Sequence, residues 1–252
     1  MSAILEALAA GGSVQVADLA RRFEVSEATL RRDLSLLEQQ RLLTRVHGGA
    51  VAQDVAYELP VRYRDGQHSA AKRAIAKLAV ASLSDADHVV GLTGGTTTSE
   101  VARQLPAEGD LTVVTNALNI AMDLVLRPRV KLIVVGGVSR PQSYELVGPW
   151  ADEVMRSINI GTAFVGVDGI SAAGGLTTHD EIEARTNHAM ISRAQRVVVV
   201  ADGTKVGRVT LARMADLAKV DELFTDDSAD GAQIDSLRAA GVKVSIAVTN
   251  ET

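Results

Sequence analysis

Two groups of residues in this 252-residue chain have types and spacing that could do chemistry. The first is Ser26-Glu27-Ala28-Thr29-Leu30-Arg31-Arg32-Asp33-Leu34, in which two adjacent guanidiniums ride on a segment whose Leu30, Leu34 and Leu37 recur at helical spacing. Ser26 has the side chain to cap that helix. Arginines in the amino-terminal half of a helix can grip a guanine edge bidentately or anchor a phosphate, and the helix dipole favours phosphate there. Arg45 and His47, on the extended run that follows, could meet the flanking backbone or the minor groove. The candidate DNA contacts are therefore Ser26, Glu27, Thr29, Arg31, Arg32, Arg45 and His47. Arginine–acid pairs supporting one another along a solvated helix would explain the same charges. The spacing favours DNA, and it leaves open which of Arg31 and Arg32 reads a base.

The second group begins where an apolar strand at 89–92 runs into Thr93-Gly94-Gly95-Thr96-Thr97-Thr98-Ser99 and then a helix. Glycines let a backbone approach an anion, and the hydroxyls and amides at a helix start can bind phosphate oxygens. No Gly-Lys-Ser/Thr follows and no third glycine is spaced for a dinucleotide, so this is neither a Walker loop nor a Rossmann fingerprint. Four more polar clusters follow apolar strands: Thr115-Asn116, Gly136-Gly137, Asp168-Gly169 and Asp202-Gly203-Thr204-Lys205. In an open parallel sheet the strand carboxyl ends share one edge, where ligands bind. The candidate effector site thus comprises Gly94, Gly95, Thr96, Thr97, Thr98, Thr115, Asn116, Gly136, Asp168, Thr178, Glu181, Glu183 and Lys205. Lys205 suits a phosphate or sugar oxygen and Asp168 suits sugar hydroxyls. Glu181 and Glu183 would line the far side.

The elements that must position these groups divide the chain. Residues 2–47 read as three helices followed by an extended run closed by Gly48-Gly49, which is the winged helix-turn-helix order. Residues 50–68 read as a connection broken by Pro60. Beyond them, strands at 89–92, 111–114, 131–135, 163–167, 197–200, 222–225 and 242–247 alternate with helices at 71–83, 98–105, 119–126, 180–193 and 232–240. That alternation predicts a mainly parallel α/β sheet. The expected domains are 1–57, a linker at 58–70, and an effector domain at 71–252.

Bulk properties bound the answer. With 46% hydrophobic and 23% charged residues the chain is globular, and at 3% aromatic its core must be aliphatic. The net charge is -5, yet six arginines against four acids give residues 21–50 a net +2. An acidic body would repel non-specific DNA and leave one face to bind it. The chain has no cysteine, which excludes disulfides, thiolate metal sites and a cysteine nucleophile. No apolar run reaches the ~20 residues of a membrane span. The amino terminus does not read as a secretory signal, so the expected location is the cytoplasm.

Taken together, residues 25–34, Leu37-Glu38 and Leu42-Leu43-Thr44-Arg45-Val46-His47-Gly48-Gly49-Ala50 resemble the signature of the DeoR family of bacterial transcriptional regulators. The resemblance extends to about Asp226. It includes Gly95-Thr96-Thr97, Thr115-Asn116, Asp168-Gly169, Gly175-Leu176-Thr177-Thr178 with Glu181, Glu183 and Ala184, and Asp202 with Lys205. It implies a homodimer or homotetramer that represses a carbohydrate-utilisation operon and leaves double-stranded operator DNA when a phosphorylated sugar binds. It further implies a sensor domain similar in fold to ribose-5-phosphate isomerase and CoA-transferase domains, with no cofactor. The family's usual Leu-Asp-Ser-Gly-Thr-Thr is here Leu92-Thr93-Gly94-Gly95-Thr96-Thr97, and Arg41 stands where a glycine is usual.

Three rival readings are weaker. A sugar-phosphate isomerase with an appended DNA domain would need an acid network, but the isomerases' Asp-Gly-Ala-Asp-Glu run is Asp168-Gly169-Ile170-Ser171-Ala172 here. A metal at His179, Asp180 and Glu183 lacks any spacing that dictates it. An activator is not separable from a repressor by these residues.

Overall fold

The computed structural model describes residues 1–40, 42–52, 59–84, 87–106 and 110–249, with the side chains of Glu6, Ala9 and Ala10 excepted. Arg41 and residues 53–58 of the expected boundary and linker region lie outside the described residues. The chain forms two compact units, 1–67 and 68–252.

The first unit is ordered α1 (Ser2–Gly11), β1 (Ser13–Gln15), α2 (Val16–Phe23), α3 (Glu27–Gln39), β2 (Thr44–Val46), β3 (Gly49–Val51) and α4 (Val61–Arg64). Gly12, at φ 68, ends α1 in the left-handed conformation, and its amide returns to the Leu8 carbonyl at 2.8 Å. Ile4, Leu5, Leu8, Leu19, Leu30, Leu34 and Leu37 meet in one core. Each such burial is worth roughly 1.5–3 kcal/mol before entropy is counted. The wing strands β2 and β3 pair antiparallel, and β1 adds to the other side of β3. Part of the expected linker belongs to this unit. Pro60 stands just before α4, where a missing amide costs nothing, and Tyr63 packs on the core with its hydroxyl donating to Gln40 at 2.5 Å.

The second unit holds α5 (Ser69–Val80), β4 (Val89–Leu92), α6 (Thr96–Gln104), β5 (Leu111–Thr115), α7 (Leu118–Leu124), β6 (Val130–Val134), β7 (Val138–Arg140) and β8 (Glu145–Val147). It continues with α8 (Pro149–Arg156), β9 (Ile160–Val165), β10 (Gly169–Ser171), β11 (Gly175–Thr178), α9 (Glu181–Arg193), β12 (Ala194–Val200), β13 (Ala212–Ala215), β14 (Glu222–Asp226), α10 (Gly231–Ala239) and β15 (Lys243–Ala247). Seven strands make an all-parallel sheet in the order β15-β14-β12-β9-β4-β5-β6. Both faces are covered, as the continuous apolar strands require. Val198 and Val200 join Ile75, Val101 and Leu124 from α5, α6 and α7 on one face. Val197 and Val199 join Met155, Met190 and Leu237 from α8, α9 and α10 on the other. The β7–β8 hairpin and the small antiparallel sheet β10-β11-β13 lie beyond the main sheet.

Candidate functional site

On α3 the caps and the buried stripe fix which side chains are offered. Leu30, Leu34 and Leu37 are buried, while Ala28, Arg32 and Leu36 are exposed. At about 100° per residue, Arg32 lies roughly opposite the buried stripe and Arg31 lies on the flank. Arg31 is ion-paired with Glu27 one turn earlier. No ion pair to Arg32 occurs among the described residues. The Ser26 hydroxyl accepts from the Thr29 amide at 3.1 Å and shares a hydrogen bond with the Thr29 hydroxyl at 2.9 Å, so both are engaged in the cap. Arg45 braces the wing: its amide donates to Glu38 at 3.1 Å and its guanidinium to Ser35 Oγ at 2.8 Å. Ser35 and Glu38 share the flank of Arg31, so the wing rises on that side. His47 is exposed in the turn between β2 and β3.

In the second unit the polar ends of β4, β5, β9 and β12 share the carboxyl edge of the sheet. Helix α6 starts at Thr96, two residues before the expected start, so Thr96, Thr97 and Thr98 form its first turn. The first amides of a helix have no acceptor within it. Gly95 precedes them at φ 129, which favours glycine. Thr98 turns its hydroxyl back to the Gly95 carbonyl at 3.0 Å. Gly94 donates its amide to Glu145 Oε1 at 2.6 Å, and a Cβ at this position would stand 2.5 Å from Glu145 Cγ.

Glu145 comes from β8 and is buried beside α9. Asn187 Nδ2 reaches it at 3.4 Å, and Asn116 Nδ2 in turn reaches Asn187 Oδ1 at 3.5 Å. Asn116 Oδ1 is buried with no hydrogen-bond partner among the described residues, an open acceptor in the middle of the cluster. Glu183 accepts from Thr178 Oγ1 at 2.7 Å and from Arg140 at 3.0 Å, and Thr178 Oγ1 also lies 3.0 Å from Asp168. Lys205 Nζ closes the chain of contacts 4.0 Å from Asp168. Burial pushes the Glu145 carboxyl well above the usual carboxylate range, and the neighbouring Glu183 carboxylate pushes it the same way against the Gly94 amide and Asn187. The Glu145 carboxyl is thereby biased toward its protonated form. For Asp180, burial acts upward too, but the Glu183 amide it caps and the Arg140 guanidinium outweigh it and hold the carboxyl low.

Not every expected residue joins this cluster. Thr115 spends its hydroxyl within the strands, donating to the Leu92 carbonyl at 2.8 Å and accepting from the Ala117 amide at 3.1 Å. Gly136 is exposed after β6, with nothing within 4 Å of where a Cβ would stand. Glu181 lies on the other side of α9 from Glu183. With Arg185, His188, Met214 and Lys219 it lines a separate groove of about 520 Å³. Conversely, Arg140, Glu145 and Asn187 were not among the expected residues. Asn187 follows Glu183 by one helical turn, a spacing that could have singled it out. Among the described residues no group of three His, Asp or Glu side chains is arranged to hold a metal ion.

Comparison with known proteins decides the family. The sequence model of the DeoR C terminal sensor domain matches residues 67–227, and that of the DeoR-like helix-turn-helix domain matches residues 1–55. The chain belongs to the DeoR family. It is a DNA-binding transcriptional regulator. Its relatives include a putative aga operon transcriptional repressor from Escherichia coli, 36% identical over 96% of this chain and 90% of that one. The HTH-type transcriptional regulator GlpR from Haloferax volcanii is 37% identical over 96% and 94%. The glycerol-3-phosphate regulon repressor from Escherichia coli is 30% identical over 88% of each chain. Among solved structures, the full-length sorbitol operon regulator SorC from Klebsiella pneumoniae aligns at 12% identity and a TM-score of 0.37, over 79% of this chain and 91% of that one. Ribose 5 phosphate isomerase A from Neisseria gonorrhoeae aligns at 15% identity and a TM-score of 0.37, over 57% and 54%.

The chain's departures from the usual DeoR-family loop have structural partners. Thr93, where the family usually has Asp, accepts from the Gly166 amide at 3.0 Å and ties β4 to the end of β9. Gly94, where the family usually has Ser, leaves the room that Glu145 fills.

Proposed function

We propose that this DeoR-family regulator represses an operon for the use of a sugar or polyol. It leaves the operator when the phosphorylated form of that compound binds at the carboxyl edge of the seven-stranded sheet. One observation carries the reading: the free-amide turn at Thr96–Thr98 adjoins a buried acid–amide cluster in which Asn116 Oδ1 waits for a donor. The turn suits phosphate oxygens, and the cluster suits hydroxyls. Gly94 to Thr98, Asn116, Asp168, Thr178, Glu183 and Lys205 are assigned to the effector, joined by Arg140, Glu145 and Asn187. Arg31, Arg32, Arg45 and His47 are assigned to DNA, with Ser26 and Thr29 shaping the helix start. The names of the relatives, among them a glycerol-3-phosphate regulon repressor, support this choice.

The effector domain acts as a sensor and not as an enzyme. Glu183 is committed to Arg140 and Thr178, and Glu145 is buried against the Gly94 amide and Asn187, so neither stands as a free base. The chain acts as a homo-oligomer that presents two recognition helices to paired half-sites. No helix among the described residues is long and apolar enough to cross a membrane. A thermal-shift panel of phosphorylated sugars and polyols tests the effector. A ligand at about a hundred times its Kd should add roughly 2.7 kcal/mol, and the same compound should release a bound operator fragment. If no sugar or polyol phosphate does either, the reading falls.

A further inference from the structure

Helix α7 is apolar nearly all round. Ile120, Ala121 and Leu124 face the sheet and are buried. Asn119 and Asp123 face α6, where Asn119 Nδ2 donates to Ser99 Oγ at 2.8 Å and Asp123 meets Arg103 at 3.3 Å. At about 100° per residue, the remaining side carries Leu118, Met122 and Val125, and Leu126 follows in the turn after the helix. These are 39%, 72%, 59% and 87% exposed. A helix with a second, exposed apolar side beside its buried one belongs against a partner, and grouped exposed apolar side chains mark an interaction surface.

Helix α7 also packs at the outer border of the sheet. There β6 is the last strand, paired with β5 on one side and with no strand on the other among the described residues. An unpaired edge is a template for another strand. The sequence of β6 suits pairing with itself. An antiparallel register centred on Leu132 sets Val130 opposite the second copy's Val134 and Leu132 opposite its own counterpart. Val130 and Leu132 lie on the face that packs against α5, α6 and α7. On the other face Lys131 meets the second copy's Ile133, so no lysine stands directly opposite a lysine.

We propose that this border is where a second copy of the chain docks. The two β6 edges pair about a two-fold axis through Leu132, merging two seven-stranded sheets, and the two α7 flanks close over the join. An extended segment of another protein could pair with the edge, but it would bring no helix to cover Met122 and Val125. A second copy supplies strand and helix together, as a two-fold contact requires. The proposal rests on the homo-oligomer named above and assigns its surface.

Sedimentation velocity on the full chain tests it. Met122→Glu with Val125→Glu should raise the dimer Kd by about 100-fold or more, with the melting temperature of the dilute monomer unchanged because both side chains are exposed. The native chain has no cysteine, so Leu132→Cys introduces a single thiol. Across the two-fold axis the two Cα atoms would stand roughly 4.5–5.5 Å apart, within disulfide reach. Oxidation should give a covalent dimer with Leu132→Cys and none with Lys219→Cys. An oligomer undisturbed by the double substitution, or one in which Leu132→Cys stays uncrosslinked, overturns the assigned surface. A wild-type chain that is monomeric at micromolar concentration overturns self-association as well. Release of operator by a sugar phosphate is measured separately, so its failure would be distinguishable.

Discussion

The two arginines of α3 should not be equivalent, and the difference can be worked out from the helix. Arg32 lies roughly 165° from the mean direction of Leu30, Leu34 and Leu37, and Arg31 roughly 95° from it. Arg32 therefore points along the axis on which DNA would approach, and no ion pair among the described residues holds it back. Arg31 must first leave Glu27, an exposed pair worth ~0.2–1 kcal/mol. A bidentate base contact contributes about 1–3 kcal/mol, so Arg32→Ala should weaken operator binding by about 5- to 150-fold. Arg31→Ala should cost less by the energy of its ion pair. Glu27→Gln should tighten binding several-fold, because it frees Arg31 and removes a negative charge from the phosphates. Fluorescence anisotropy on an operator selected from random DNA measures all three, with the salt slope taken for each. A slope that drops by about one unit in Arg32→Ala would assign Arg32 to a phosphate instead of a base. A loss of affinity in Glu27→Gln, or a larger loss for Arg31→Ala than for Arg32→Ala, would refute the reasoning.

Two further expectations concern stability. Because Glu145 is held above its unfolded value, the folded unit binds an extra proton. Its contribution is complete at acid pH and is lost as pH rises through the raised value. Chemical denaturation of Glu145→Gln against pH should show a flatter profile, and a slope unchanged from wild type would contradict the upward shift. Arg196 joins Glu222 at 2.9 Å to the Ser82 carbonyl and hydroxyl, each at 3.1 Å. Burial raises the carboxyls of Asp87 and Glu222, but their partners, Arg196 among them, hold both low. Their stabilisation should be present at neutral pH and fade as pH falls below the ordinary carboxylate range. Arg196→Ala should cost about 1–3 kcal/mol, read as a melting shift of several degrees; an unshifted melting curve would remove this cluster from the account.

Much of the fold was legible because the long strands are runs of buried β-branched and aliphatic residues, which propensity and burial both favour. Val197–Val200 and the helix at Glu181–Arg193 are the plainest cases. The short pieces were not legible. β1, β7, β8, β10, β11 and β13 have three or four residues each, too few for a period to show, and α8 is only eight residues long, opening on Pro149 directly after Gly148. The site divides the same way. The strand-end clusters follow from topology, since a parallel sheet puts every carboxyl end on one edge. Glu145 does not, because its partner Gly94 is 51 positions away and no local pattern announces it. Glu181 could have been set apart from Glu183 by the helical period alone, since residues two apart on a helix face different ways.

The glycine of the loop between β4 and α6 gains a second explanation from that contact. As a loop residue, Gly94 invites the reading that its missing side chain lets an anion approach. The structure shows instead that the space is taken by Glu145, whose Cγ, Cδ and Oε1 stand 2.5, 2.8 and 2.8 Å from a Cβ placed there. The two explanations separate in a double-mutant cycle. Gly94→Ala alone should destabilise the unit by about 1–3 kcal/mol through overpacking. Glu145→Ala alone should cost a similar amount by leaving the Gly94 amide buried without its acceptor. In the double variant the alanine methyl enters the space that Glu145 vacated, so the two costs should fall short of adding by about 1 kcal/mol or more. If glycine is required only for anion approach, denaturant melts without ligand will show additive losses, and the whole effect of Gly94→Ala will appear in the affinity for inorganic phosphate.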